Sequence, residues 1–162
     1  MNTLRIERDS RGIARLILAR PDRHNALSAD MIAELSTAAR DLGADHGVRA
    51  VVLAGDGASL CAGGDLAWMR AQAGADRATR IESALALARM LRSLDEMGKP
   101  LVARVHGPAY GGGVGILAVC DVVVAARSAR FALTETRLGL IPATIGPYVV
   151  RRLGEARTRD VV

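Results

Sequence analysis

Two glycine-rich segments and one glutamate are the residues of this sequence best suited to chemistry. CAGGD covers residues 61–65, YGGGVG covers residues 110–115, and Glu135 lies in the later segment FALTETRLG. Glycine lets backbone N–H groups come close to a ligand, and a helix that begins there adds free donors and a partial positive charge. Two converging N–H groups could hold the negative charge that develops on a carbonyl oxygen. The glycines could equally serve only tight helix–strand packing, and Glu135 could be a solvated loop carboxylate.

Other motifs that could carry chemistry are weaker. GDGASLCAG follows a predicted strand but lacks the third glycine of a dinucleotide-binding loop and a helix directly after it. No glycine run is followed by the GK[ST] of a phosphate-binding loop, and GASLC has Cys61 where a nucleophile elbow needs glycine. The three histidines share no ligand spacing, and Cys61 and Cys120 are expected to be buried reduced thiols. The sequence therefore predicts neither a metal site nor a resident cofactor.

Composition indicates one globular domain covering residues 1–162. Half of the residues are hydrophobic and 24% are charged, which is ordinary for a folded domain. The net charge is +5, but the arginines form no block and only 2% of residues are aromatic, so a nucleic-acid partner is unsupported and a small polyanionic ligand fits better. The N-terminus is charged where a signal peptide needs an apolar stretch, and the apolar run at 114–126 is too short to span a membrane. We expect a cytoplasmic protein.

The elements that must position these residues follow an α/β pattern. Alternating runs on either side of DSRG predict a β-hairpin with Gly12 in the turn. Ser28 is a predicted N-cap, and the segments RAVVLAGDG, KPLVARVHG and DVVVAA are predicted strands. Helical spacing predicts two buried stripes: Met31, Leu35, Ala38 and Leu42 on one helix, and Ile81, Leu85, Ala88, Leu91 and Leu94 on another. Strands that alternate with helices favour a parallel sheet, whose loops meet at one ligand-binding edge.

The segments CAGGDLAWM, GGGVGILAVCD and FALTETRLGLIPA, in this order, resemble the enoyl-CoA hydratase/isomerase (crotonase) superfamily over essentially the whole chain. The resemblance implies a spiral of ββα repeats and an acyl-CoA thioester as substrate. It assigns the two oxyanion-binding N–H groups to Gly64 and Gly112 and a catalytic carboxylate to Glu135. It also implies contacts to coenzyme A from one set of loop residues: Arg23, His24, Ala26, Ala62, Asp65 and Leu66.

One position departs from the pattern of the superfamily. Hydratases of this kind commonly use a second glutamate, but this sequence has Gly115 in that place, and we expect the position of the second carboxylate to be empty. Glycine there, together with AWMR and LGLIPATIGPYVV, resembles bacterial methylglutaconyl-CoA hydratases of leucine degradation. Hydration of a 2-enoyl-CoA is therefore the first expectation, and double-bond isomerisation, which needs one proton shuttle, is the alternative.

The family chain continues past residue 162, where this sequence stops within a predicted helix. The resemblance implies that the later helices complete the acyl pocket and the contacts of a homotrimer or hexamer. We therefore expect the C-terminal helical region to be missing here. A non-catalytic, truncated acyl-CoA binder remains a third interpretation of the sequence.

Overall fold

Residues 1–161 fold into a five-stranded sheet, a second two-stranded sheet and six α-helices. The computed structural model describes residues 1–161, including all of their side chains except that of Leu138. Two 3-10 helices, Pro21–Arg23 and Thr134–Leu138, precede α1 and α5 respectively. The other elements follow in this order: β1 (Leu4–Arg8), β2 (Ile13–Leu18), α1 (Ala29–Ala44), β3 (Ala50–Gly55), α2 (Leu66–Ala73), α3 (Arg77–Asp95), β4 (Leu101–Val105), β5 (Ala109–Tyr110), α4 (Gly112–Val119), β6 (Val122–Ala125), β7 (Phe131–Ala132), α5 (Gly146–Leu153) and α6 (Glu155–Val161).

The large sheet has the strand order β1-β2-β3-β4-β6. Strands β1 and β2 form an antiparallel hairpin in which Leu4 pairs with Leu18. Gly12 has a φ of 78° in the turn, a left-handed conformation that favours glycine. The remaining neighbours in this sheet are all parallel. The predicted hairpin and the predicted parallel sheet are both confirmed.

The chain winds as a spiral because each long strand is followed by a short strand or bridge in a second layer and then by a helix. Strand β4 leads to β5 and α4, and β6 leads to β7 and α5. Strands β5 and β7 pair in parallel. Isolated bridges join Cys61 to Ala109 and Leu27 to Gly64, which extends this layer to the segments after β3 and β2. This is the spiral of ββα repeats that the family resemblance implies.

Helix α1 packs as the sequence predicts. The Ser28 side chain accepts a hydrogen bond from the Met31 N–H at 3.3 Å, as an N-cap does. The four residues of the predicted stripe are all fully buried: Met31, Leu35, Ala38 and Leu42. Spacing on one helical face is therefore enough to identify this part of the core.

The stripe predicted on α3 is only partly correct. Leu91 and Leu94 are buried in the second half of the helix, but Ile81 is 40% exposed and Leu85 is 38% exposed. In the same half of α3, Arg80, Ser83, Ala84 and Leu87 border a cavity, whose lining includes neither Ile81 nor Leu85. The apolar spacing is therefore continuous along α3 although the burial is not.

The apolar run after the three glycines forms α4, most of which is buried. Its N-terminus is Gly112, and the turn before it contains Gly111, with φ 47° and ψ −117°. Among residues 1–161, no helix has the length and apolar character required to cross a membrane.

Candidate functional site

The segments that follow β2, β3 and β4 lie side by side at one edge of the parallel strands. The Leu27 N–H donates to the Gly63 carbonyl at 2.7 Å, and the Tyr110 N–H donates to the Cys61 carbonyl at 2.9 Å. A Cβ added to Gly63 would lie 3.7 Å from the Gly111 Cα. The two glycine-rich segments are therefore in contact, at the edge where parallel sheets bind ligands.

Gly64 and Gly112 each present a backbone N–H without a protein acceptor among residues 1–161, and both residues line the same cavity. Gly112 has no room for a side chain, since its Cβ would lie 2.7 Å from Cδ1 of the buried Leu27. A Cβ on Gly64 would lie 3.0 Å from Sδ of the half-buried Met69, a tight contact with a flexible side chain. Gly112 is therefore required for packing, whether or not its N–H group also binds a ligand.

Glu135 brings a carboxylate to the N-terminus of α4. It lies in the 3-10 helix Thr134–Leu138. The Glu135 carbonyl accepts a hydrogen bond from the Leu140 N–H at 3.0 Å. Its Oε1 lies 2.9 Å from the point that a Cβ on Gly111 would occupy. Its Oε2 is buried and has no hydrogen-bond partner among the described residues. Since an unpaired buried carboxylate oxygen is unfavourable, this atom is available to a ligand or a proton.

Glu135, Gly64 and Gly112 all line one cavity of about 650 Å³, within the usual size range of small-molecule sites. The three predicted catalytic residues therefore come together, although their catalytic roles stay predictions. The other lining residues belong to the segment after β2, to α2 and α3, and to the segment before α5: Leu27, Leu66, Trp68, Met69, Arg70, Gln72, Ala73, Arg80, Ser83, Ala84, Leu87, Leu140, Ile141, Pro142, Ala143, Thr144 and Ile145.

The space beside Gly115, where the resemblance puts the second carboxylate that this sequence lacks, is filled by another side chain. Ile145, which is 2% exposed, fills the space that a side chain at position 115 would take. A Cβ on Gly115 would lie 2.9 Å from Ile145 Cβ and would overlap its Cγ2 atom. The sequence could not reveal this packing because Ile145 is thirty residues away along the chain and approaches from α5.

Both carboxylate oxygens of Asp65, a residue predicted to contact coenzyme A, accept hydrogen bonds from other residues of the protein. Its Oδ1 accepts from the N–H of Ala67 at 2.9 Å and caps α2, while its Oδ2 accepts from Arg20 at 3.0 Å. Burial alone would raise the pKa of the Asp65 carboxyl, but the bonds from Arg20 and from the N–H groups of Trp68 and Ala67 outweigh burial and lower it. Asp65 holds the segment after β3 to the segment after β2.

The other predicted coenzyme A contacts lie along the same edge. Arg23 and His24 are exposed, and the His24 ring shares a 3.1 Å hydrogen bond with Ser59 Oγ. The Ala62 N–H donates to the His24 carbonyl, and the Ala26 N–H donates to the Arg23 carbonyl. These four residues lie outside the lining of the cavity, whereas Leu66, 65% exposed, is part of it. Their contact with coenzyme A stays a prediction.

Both cysteines are free and buried, as predicted. Burial raises the pKa of Cys61 to about 11 and that of Cys120 to about 12, so neither is a reactive thiolate near neutral pH. Residues 1–161 contain no cluster of three histidine, cysteine, aspartate or glutamate side chains able to hold a metal ion.

Sequence reasoning missed the polar residues of the cavity wall, among them Arg70, Gln72 and Arg80. Gln72 Oε1 is buried and has no hydrogen-bond partner among the described residues. Helical spacing shows that positions 66 and 70 share a face of α2. It does not show that this face borders a cavity. Only the packing of α2 and α3 shows that.

Comparison with known proteins agrees with this geometry. A model of the family "Enoyl-CoA hydratase/isomerase" matches residues 8–162. An enoyl-CoA hydratase of Alternaria alternata is 37% identical over 148 residues, which cover 91% of this chain and 48% of that protein. The mitochondrial Delta(3,5)-Delta(2,4)-dienoyl-CoA isomerase of Dictyostelium discoideum is 33% identical over 147 residues, covering 85% and 50% respectively.

The fold is shared with solved structures. The crystal structure of an enoyl-CoA hydratase from Shewanella pealeana matches with a TM-score of 0.95 and 36% identity, covering 98% of this chain and 60% of that chain. The present chain spans about half the length of the two curated relatives described above. Since the family model covers nearly the whole chain and the fold agrees, the chain belongs to the enoyl-CoA hydratase/isomerase family.

Proposed function

We propose that this chain binds an acyl-CoA thioester and catalyses proton transfer next to its carbonyl group, with hydration of a 2-enoyl-CoA as the reaction. The observation that carries the proposal is the buried, unpartnered Oε2 of Glu135, a residue that lines one cavity with Gly64 and Gly112. An unpaired polar atom on a residue that lines a cavity is typical of a functional group whose partner is the ligand.

The thioester oxygen would accept hydrogen bonds from the N–H groups of Gly64 and Gly112. Charge that develops on this oxygen in the transition state would be stabilised by the two donors and by the N-terminus of α4. Because the surrounding walls are largely apolar, both hydrogen bonds would act with little competition from water. Each donor would contribute about 3 kcal/mol to the stabilisation of the transition state.

Glu135 would be the general acid and base. In hydration its carboxylate takes a proton from water as the oxygen attacks Cβ, and the carboxylic acid so formed gives that proton to Cα of the enolate. In the reverse direction the carboxylate takes the proton from Cα and gives it to the leaving hydroxyl. Coenzyme A would lie along the edge formed by Arg23, His24, Ala26 and Ala62.

Isomerisation of the acyl double bond is the second candidate, and the packing at Gly115 favours it. Ile145 fills the space beside Gly115, the position at which the resemblance puts a second carboxylate, so one acid–base group would have to suffice. A single carboxylate can remove a proton from one carbon of an enoyl chain and return it to another, and one relative is named as a dienoyl-CoA isomerase.

Methylglutaconyl-CoA is the finer substrate proposal, and it rests on the resemblance of AWMR and LGLIPATIGPYVV. Assembly into a homotrimer or hexamer and a cytoplasmic location are also proposals that rest on the family resemblance.

In the test, the purified chain is incubated with crotonyl-CoA and, separately, with a 3-enoyl-CoA. Hydration removes the ultraviolet absorbance of the conjugated thioester, whereas isomerisation of the 3-enoyl-CoA creates that absorbance. Loss with crotonyl-CoA supports hydration, and gain with the 3-enoyl-CoA alone supports isomerisation. Binding of both thioesters without either change would establish the non-catalytic binder and overturn the proposal.

A further inference from the structure

Strand β6 is an open edge of the large sheet. It pairs with β4 on one side, and among residues 1–161 no strand pairs with its other side. The N–H and C=O groups of alternate residues along β6 therefore point outward without a strand partner. A strand in this state is a template for pairing with a strand of another chain.

The side chains along this edge are apolar and accessible. The run VVVAA at residues 122–126 contains neither a charged residue nor a proline. Val122 is 50% exposed and Val124 is 60% exposed, and Ala125 and Ala126 are exposed as well. The charged residues and prolines that commonly keep an edge strand from pairing are therefore missing from β6.

The opposite edge of the same sheet, β1, has the usual protection. Its exposed residues are Arg5, Glu7 and Arg8. Arg5 forms ion pairs with Glu7 at 2.9 Å and with Asp56 at 2.7 Å. Charged side chains along β1 make pairing with a further strand unfavourable. Of the two edges, β6 is therefore the one open to a partner.

The sequence around β6 is complementary to itself in the antiparallel direction. Val124 is the midpoint between Asp121 and Arg127, which are both exposed. Arg127 forms no ion pair with a described residue, and Asp121 accepts from the Leu101 N–H through its Oδ2 atom at 2.8 Å. Antiparallel pairing about Val124 would bring Asp121 of each copy close to Arg127 of the other, whereas parallel pairing in register would bring like charges together.

We propose that β6 is an interface at which two copies of this chain pair antiparallel about Val124, so that their large sheets join into one continuous sheet. The pairing satisfies the outward backbone groups of both strands and covers Val122 and Val124. The contact is two-fold, because the same surface is used by both copies, and a three-fold rotation cannot produce it. It is therefore separate from the contacts of a homotrimer, and it does not depend on the proposed acyl-CoA chemistry.

Cysteine variants test the register of the pair. Val124 would face Val124 of the second copy with Cα atoms about 4.5–5.5 Å apart, which a disulfide can bridge. The two copies of Val122 would lie about 14 Å apart along the strands, too far for a disulfide. Under mild oxidation Val124→Cys should therefore become a disulfide-linked dimer, whereas Val122→Cys, the matched control on the same strand, should stay unlinked. The native thiols Cys61 and Cys120 are buried.

Sedimentation equilibrium measures the association without a cross-link. Val124→Lys should weaken it about a hundredfold, because apolar contacts are lost and two like charges meet. Arg127→Glu should weaken it about tenfold through repulsion by Asp121, and adding Asp121→Asn, which keeps an acceptor for the Leu101 N–H, should recover part of that loss. Val161→Lys, at a valine of α6 that is 49% exposed, is the control and should leave the association unchanged.

Three results would overturn the inference. The first is a wild-type chain that stays monomeric up to its highest soluble concentration. The second is equal cross-linking of Val124→Cys and Val122→Cys, because the association would then have no fixed register. The third is an assembly whose mass Val124→Lys leaves unchanged, since its contacts would lie elsewhere. Each of these results would leave the proposed acyl-CoA chemistry standing, because turnover is assayed separately.

Discussion

Replacing Gly115 with alanine should destabilise the protein, although alanine normally favours a helix. The added Cβ would lie 2.9 Å from Ile145 Cβ and would overlap Ile145 Cγ2, and Ile145 is buried between α4 and α5. Overpacking of this kind costs about 1–3 kcal/mol, and the better helix propensity of alanine offsets up to about 1 kcal/mol. We expect a net loss of about 1–2 kcal/mol in the free energy of unfolding.

The contact with Ile145 can be isolated by a double-mutant cycle. Ile145→Ala alone should cost about 2–5 kcal/mol through the cavity it leaves. In the double variant the overlap with Cγ2 is gone and the new methyl group fills part of that cavity. The two losses should therefore sum to more than the loss in the double variant, with a coupling of about 1 kcal/mol.

Urea unfolding followed by circular dichroism measures each free energy. Gly115→Ala combined with Leu35→Ala on α1 is the control, since Leu35 is not among the atoms that a Cβ at position 115 meets, and that pair should be additive. Additivity of Gly115→Ala with Ile145→Ala, or a Gly115→Ala protein as stable as wild type, would refute the packing argument. It would also reopen the possibility that position 115 can accept a carboxylate.

Three further predictions follow from the site. Asp65→Ala should lower the free energy of unfolding by about 2–4 kcal/mol, because it removes the cap of α2 and leaves Arg20 without its ion-pair partner. Asp76→Ala at the exposed cap of α3 should cost less in the same urea assay. Equal losses in the two variants would contradict the importance of the pair between Asp65 and Arg20. Since the pKa of Asp65 is lowered by folding, its ionised form stabilises the protein above the unfolded-state pKa of about 3.9, and the difference between wild type and Asp65→Asn should shrink as pH falls below that value. Gly112→Pro removes the N–H at the first position of α4, whereas Gly112→Ala has the same clash with Leu27 but keeps this donor. The turnover of Gly112→Pro should therefore be about a hundredfold below that of Gly112→Ala. Equal turnover in the two variants would place the oxyanion elsewhere.

Local signals explain why much of the fold could be predicted. The turn at Gly12, the cap at Ser28 and the buried face of α1 each depend on residues within one or two turns of one another. The parallel order of β2, β3, β4 and β6 follows from the alternation of strands with helices. Even the meeting of the two glycine-rich segments follows from parallel strands ending at one edge.

Long-range packing explains what could not be predicted. The spacing of Ile81 and Leu85 matches a core stripe, but both side chains are exposed, and the α3 residues that border the cavity are others. The space beside Gly115 is filled by Ile145, which directly precedes another helix, α5. The polar lining residues Arg70, Gln72 and Arg80 likewise come together only because α2 and α3 border one cavity.

The central claim is that the Glu135 carboxylate moves the proton next to the thioester carbonyl. The most direct measurement is the rate at which deuterium from D₂O enters the α-carbon of a bound acyl-CoA, followed by mass spectrometry in wild type and Glu135→Gln. Glu155→Gln, an exposed glutamate change on α6, is the matched control. We predict a fall of about 10²–10⁴-fold in exchange for Glu135→Gln alone, with acyl-CoA affinity nearly unchanged. Exchange at the wild-type rate in a folded Glu135→Gln protein that still binds the thioester would contradict the claim.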